Sequence, residues 1–248
     1  MFAVDPVQSV IDEAVDWGAD LLVVHHPLLL SPVTSVAAIT PKGRAVHTLI
    51  SGGVALLVAH TNADIALDGV SAALAGALGL QEQRPLAERD TTSYAGPTNE
   101  VTSAGHGRLG RLAEQMSLGA FAQHVAAVLP HNASGIRIAG DLSARVELVA
   151  VCGGSGDFLL ERVRQLNADV YVTSDLRHHR AGEHLEYAGA PALVDVPHWA
   201  AEATWLPVLE QRLRSELAAK GTTVGTRVST IVTDPWAAHL PMTSRSLP

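Results

Sequence analysis

Short apolar runs of strand length alternate with stretches of helical period along almost the whole chain, and that alternation most narrows the fold. LLVV (21–24), VALLV (54–58), VELVAV (146–151), VYV (170–172) and ALV (192–194) have no polar side to alternate with, or nearly none. Strands of that kind are buried on both faces, as in sheets covered by helices. Between them lie helical patterns. In DPVQSVIDEAVDWGAD, Asp5 is placed to cap, Pro6 to open and Gly18 to stop a helix carrying Val7, Val10, Ile11, Ala14 and Val15 on one face. TPKGRAVHTLISGG, DGVSAALAGALGL and SLGAFAQHVAAVL (capped by Ser117) follow the same logic. So do SGDFLLERVRQL, HHRAGEHLEYAG and the long HWAAEATWLPVLEQRLRSELAAKG. TRVSTIVTD reads as a last strand.

The expected fold class is therefore α/β, with mostly parallel sheets flanked by helices and two similar α/β halves. The polar stretch from about Gln81 to Gly107, rich in Thr, Ser, Gly and Pro, reads as the linker. It divides an N-terminal domain (1–95) carrying His25, His26 and Asp64 from a second domain (96–248) carrying His198 and Glu202. The C-terminal helix and strand are expected to pack back on the first domain.

The chain of 248 residues is 47% apolar and 17% charged, enough for a sizeable core. Its net charge of −8, with no basic block, argues against nucleic acid or an anionic membrane as partner. The single cysteine, Cys152, excludes an intramolecular disulfide and fits a reducing compartment; it reads as a packing residue. With no basic, apolar leader and no apolar run long enough to span a bilayer, the expected location is the cytoplasm.

Twelve histidines are many for such a chain, and their positions matter more than their number. His25 and His26 end one strand, His60 the next, with Asp64 four residues on. Asp175 ends another, followed by His178 and His179, and His198 follows ALVDVP. In open α/β sheets ligands bind beyond the carboxyl ends of strands, so metal-ligand types gather where a site belongs. His198 and Glu202, spaced i, i+4, point from one helix face. Together with His25, His26 and Asp64 they offer three imidazoles and two carboxylates, a nitrogen and oxygen set suited to Zn, Mn, Fe or Ni. Adjacent strand residues face opposite ways, so His25 and His26 share a site only if the backbone turns before Pro27. Two divalent ions would suit them better than one, with Glu202 able to bridge; such pairs activate water for hydrolysis. CGGSGD (152–157) offers backbone N–H groups, including Gly153 and Gly154, that could cradle an anion, or serves only as a tight turn. His106, His124, His131 and His184 read as surface or capping residues. Trp199 and Trp205 read as core, with Trp199 able to wall a pocket.

GADLLVVHHPLLL, VAHTNAD, VCGGSGD, VTSDLRHH and VDVPHWAAE occur in an order similar to that of the Nif-three-like family, dinuclear metal-centre hexameric proteins also termed GTP cyclohydrolase I type 2 homologues. The resemblance implies two interlinked α/β domains with mostly parallel mixed sheets flanked by helices, and two metal ions per subunit on His25, His26, Asp64, His198 and Glu202. It also implies a toroidal homohexamer, and places His60, Asp175 and His179 along the site. It suggests a nucleotide or other phosphate-bearing small molecule as substrate; in the hydrolase reading Glu202 bridges the ions or positions the water, and Asp175 or His179 is the general acid/base. Two departures stand out. The chain starts inside the strand MFAV, where family members carry some tens of residues more, so it reads as N-terminally shortened; and TSD replaces a common TGD. The rival expectations are a non-catalytic metal scaffold or partner-docking protein, and a plain α/β domain that binds no metal.

Overall fold

The computed structural model describes residues 1–88 and 104–241; the boundary expected between residues 95 and 96 lies outside them. β1 (Phe2–Ala3), β2 (Leu21–Val24) and β3 (Ala55–Val58) form a parallel sheet in that order. The crossovers are α1 (Gln8–Trp17) and α2 (Pro41–Gly52). α1 ends where the sequence says it should, because Gly18 takes φ 74°, a left-handed turn that costs a side chain-bearing residue about 1–2 kcal/mol. Its start differs. Val7, not Asp5, occupies the capping position and no side chain caps it, because the Asp5 carboxylate is engaged by His26 and Thr233 instead. β3 is also not the buried strand expected: it lies at the sheet edge, and Leu57 is half exposed.

The next elements are α3 (Thr61–Asp64), α4 (Val70–Ala77), β4 (Gln81–Arg84), β5 (Ala87–Glu88), β6 (Gly105–His106), β7 (Arg108–Ser117), α5 (Leu118–Val128) and β8 (Arg137–Ala139). They are followed by β9 (Arg145–Ser155), α6 (Leu160–Gln165), β10 (Val170–Ser174), α7 (His178–Leu185), β11 (Ala192–Asp195), α8 (His198–Ala203) and α9 (Trp205–Ala219). Six strands make a second sheet in the order β4-β7-β9-β10-β11-β8. Its β9-β10-β11 centre is parallel and its margins are antiparallel. The stretch read as a linker thus holds the edge strand β4 and a small β5–β6 ribbon. β7 alternates buried and exposed residues along its middle rather than forming an apolar run, which is why it does not stand out in the sequence.

The long C-terminal helix is two. Pro207 has no N–H for the carbonyl of Ala203, and the chain turns at Thr204, whose hydroxyl donates to Ala201 O at 2.7 Å. The expected last strand is a single bridge, Val228 beside Phe2. The ladder has no room to grow, since β1 is two residues long and Pro6, soon after, offers no donor. Even so, this segment returns to the first sheet: Phe2 N donates to Arg227 O and Ser229 N to Phe2 O, both at 2.8 Å. One apolar core runs through both layers, joining Phe2, Val4 and Val23 to Leu74, Val149, Val172 and Trp199. It fixes the carboxyl ends of β2 and β3 against those of β10 and β11. No helix among the described residues is long and apolar enough to cross a membrane.

Candidate metal centre

The chain bends immediately after β2. His25 N reaches Ala3 O and Val4 O at 3.2 and 3.1 Å, and His26 N also bonds Val4 O, at 2.9 Å. Two successive amides therefore converge on the end of β1 instead of alternating. This lets both imidazoles look the same way, their ring centres 5.0 Å apart. From the second sheet, α8 begins at His198 right after β11, and one helical turn later presents Glu202, only 2% exposed.

Three imidazoles meet that one carboxylate. His198 Nε2 lies 2.8 Å and His25 Nε2 3.3 Å from Glu202 Oε1, and His26 Nε2 lies 3.1 Å from Oε2. Asp64 Oδ1 completes the set, 3.5 Å from His25 Nε2. The opposite nitrogen of each ring is already committed. His25 Nδ1 donates to Ala59 O at 2.8 Å, His26 Nδ1 to Asp5 at 2.7 Å and His198 Nδ1 to Asp175 at 2.6 Å. An acceptor at Nδ1 fixes the tautomer and aims the Nε2 lone pair, the arrangement that metal-binding histidines use.

The residues fit a divalent ion on observations internal to the fold. Nε2 of His26 and of His198 face each other at 3.3 Å, so a proton or a cation must stand between two lone pairs. Glu202 Oε2 is buried and, despite the nearby His26 nitrogen, lacks hydrogen-bond geometry to any described partner. An ionised carboxylate buried alone costs several kcal/mol, yet Glu202 stays well below the ordinary carboxylate range: burial would raise it, but His198, His25 and His26 lower it further. Burial likewise opposes charge on the rings, yet Asp5 and Glu202 push His26 up to about 9, and Asp175 and Glu202 push His198 up to about 10. Burial lifts Asp64 to about 6 against the pull of His25. The cluster collects positive charge around a buried anion. Gly154 leaves the space open: at φ +70° it carries no Cβ, which would stand 2.6 Å from Glu202 Oε1 and 3.3 Å from His198 Nε2.

All five sequence-named ligand residues are thus brought together. His60 joins them, its ring 5.2 Å from that of His25 and 5.8 Å from that of His26, and could be a further ligand beside them. Asp175 is present as the acceptor that holds His198, with its carboxyl lowered by that bond. His179 is not brought in. It is exposed on α7, against the ring of His178, with no hydrogen bond or ion pair to the cluster among the described residues. Nor do Gly153 and Gly154 form an anion cradle. They continue β9, Gly153 N donates to Ser71 Oγ at 3.3 Å, and their missing side chains make room for Val70 and for Glu202. His184 is not a surface residue either. It is 2% exposed and bonds Pro191 O at 2.9 Å. Cys152 and Trp199 are buried in the core as expected, while Trp205 sets its ring edge-on to His25 at 5.8 Å.

Two contributors escaped the sequence. Asp5 looks like a helix cap and is instead the partner of His26. Arg108, 2% exposed, spends its guanidinium on the carbonyls of Gly105, Gly107, Ala66 and Leu67 at 2.6–3.2 Å, tying the chain just after Asp64 to β7.

An α/β chain that converges imidazoles and carboxylates from two sheets onto one point carries the donor set of a possible metal site. The family model described as Duf34/NIF3 (NGG1p interacting factor 3) matches residues 1–235, and the chain belongs to that family. A Streptomyces coelicolor protein named GTP cyclohydrolase 1 type 2 homolog is 48% identical over 240 residues, covering 97% of this chain and 81% of the relative. A Mycobacterium leprae protein of the same name is 35% identical over 331 aligned positions, covering 94% and 84%. The crystal structure of a Bacillus cereus protein related to NIF3 superposes with a TM-score of 0.84 at 25% identity, covering 95% of this chain and 87% of that one.

Proposed function

We propose that this protein holds two divalent ions on His25, His26, Asp64, His198 and Glu202 and uses them for hydrolysis of a small molecule. The observation that carries the reading is the fixed orientation of three imidazoles, each tied at Nδ1 and aimed by Nε2 at one buried carboxylate. When bound, such ions polarise a substrate oxygen and make water nucleophilic near neutral pH. The chain's own part is to hold them. Glu202 reaches both sides of the cluster with its two oxygens, and Asp5, Asp175 and Ala59 O keep the rings from rotating. His60, half-exposed beside the cluster, is better placed than His179 to pass a proton. A phosphoester or nucleotide substrate is part of this reading, drawn from the relatives' name. So is a cytoplasmic location, in keeping with one free, buried cysteine.

Assembly into a homohexamer belongs to the same proposal. The loop after His26 exposes Leu30, Val33, Val36 and Ile39, an apolar row that neighbouring subunits would cover. Mass photometry giving a six-subunit particle supports it, and a monomer alone rejects it. For the centre itself, elemental analysis of protein purified without chelators should find two ions per chain, and fewer in Glu202→Gln. A screen of phosphoesters and nucleotides with Mn, Zn and Fe should give turnover that Glu202→Gln abolishes. Protein that purifies and reconstitutes without metal sinks the proposal.

A further inference from the structure

Beside the cluster, on the Nδ1 side of His198, lies a cavity of about 540 Å³, within the ~300–1,000 Å³ typical of small-molecule sites. Its walls combine Asp175, Asp195 and His198 at the carboxyl ends of the central strands with Asp234, Pro235 and Trp236 from the returning C-terminal segment. A smaller cleft lined by Asp5, His26, His198 and Asp234 continues it to the ligand residues. The lining charge is lopsided. Three carboxylates face one guanidinium and the His198 imidazole, and both are already paired, Arg137 through Nε and Nη2 with Asp195 Oδ2 and His198 through Nδ1 with Asp175 Oδ2. Asp195 Oδ1 is taken by Leu176 N at 2.9 Å. Asp175 and Asp234 each have one oxygen engaged, by His198 and by the Trp236 amide, and a second to offer. At the rim Trp236 is 68% exposed, which leaves its indole available to a planar group.

Acceptors on the walls, no unpaired cation among the described lining residues and an aromatic face define the ligand by chemistry. We propose that this cavity is a recognition site for a planar group bearing N–H donors, an amidine or an amino-substituted nitrogen heterocycle. The group lies against Trp236 and donates to Asp175 and Asp234. A delocalised cation is favoured twice, by the carboxylates and by the indole face. A phosphate is disfavoured here, so any anionic part of a substrate belongs on the cluster side of His198. The inference extends the hydrolase reading by naming what the non-reacting end of the substrate carries, but the site needs no metal to exist.

The test uses the full-length protein, both chelator-treated and metal-loaded, with benzamidine as the probe and benzoate and inorganic phosphate as anionic controls. Binding is followed by tryptophan fluorescence and by calorimetry. Benzamidine should bind one site with a Kd on the order of 1 mM or tighter, with or without metal. Benzoate and phosphate should neither bind there nor displace it. Trp236→Ala and Asp234→Asn, both outside the core, should each weaken benzamidine about ten-fold or more, read by calorimetry, while leaving metal content unchanged. Absence of benzamidine binding, displacement by phosphate, or Trp236→Ala and Asp234→Asn both retaining wild-type affinity overturns the proposal. Benzamidine binding by protein that takes up no metal would instead reject the metal centre and leave this site standing.

Discussion

Two His-His pairs follow parallel strands in this molecule, and only one reaches the site. His25-His26 comes straight after β2, where the chain bends and both amides bond the end of β1. Each ring then finds an acceptor for Nδ1, Ala59 O or Asp5, and a target for Nε2 in Glu202. His178-His179 is separated from β10 by three residues and opens the exposed helix α7, where the two rings meet only each other among the described contacts. The residue types are the same, and both pairs lie beyond the carboxyl end of a parallel strand, one in each sheet. What differs is the distance from the strand end and the presence of a fixed acceptor behind each ring. A histidine is poised to serve as a ligand by being held, not by being near.

That contrast can be broken most sharply at the shared carboxylate. Glu202→Gln should lower cobalt affinity by more than about 100-fold, past the roughly 10–100-fold expected for loss of an outer partner; spectroscopic titration with Co²⁺ measures it. Unchanged affinity would mean the three Nε2 atoms do not converge on a metal. Next in size is the holding itself. Asp5→Asn and Asp175→Asn should each weaken Co²⁺ by about 10–100-fold while circular dichroism stays native. An effect under two-fold in both would return Asp5 and Asp175 to ordinary surface roles. Gly154→Ala sharpens the steric side. A left-handed alanine costs about 1–2 kcal/mol, and its Cβ would press on Glu202, so thermal unfolding should shift down and metal uptake fall together. The smallest effect belongs to the other pair. His178→Ala with His179→Ala should leave Co²⁺ affinity unchanged and stability within about 0.5 kcal/mol; a loss comparable to that of Asp175→Asn would bring α7 back into the site.

The errors of sequence reading have a common origin. Asp5 before Pro6 has the local pattern of a helix cap, and local pattern cannot see that His26 and Thr233 compete for the same carboxylate. Gly153-Gly154 looks like a loop because glycines usually mark one; the strand runs on through them because Val70 and Glu202 occupy the space their side chains would need. TRVSTIVTD has strand composition, but a strand needs a partner long enough to pair with, and β1 offers two residues. In each case the deciding neighbour lies far along the chain.

The sequence by itself determined the alternation of elements, the helix stops, the burial of the central strands, and the five candidate donors in the segments that follow β2, β3 and β11. These rest on periodicity and on the backbone preferences of single residues, which act over a few positions. Only the tertiary structure decided which nitrogen of each imidazole faces inward, that Asp5 stands behind His26, and that Trp236 closes a cavity next to His198. Those outcomes depend on the joint packing of two sheets over one core, which brings together groups as many as 228 positions apart and is written in no local stretch of the chain.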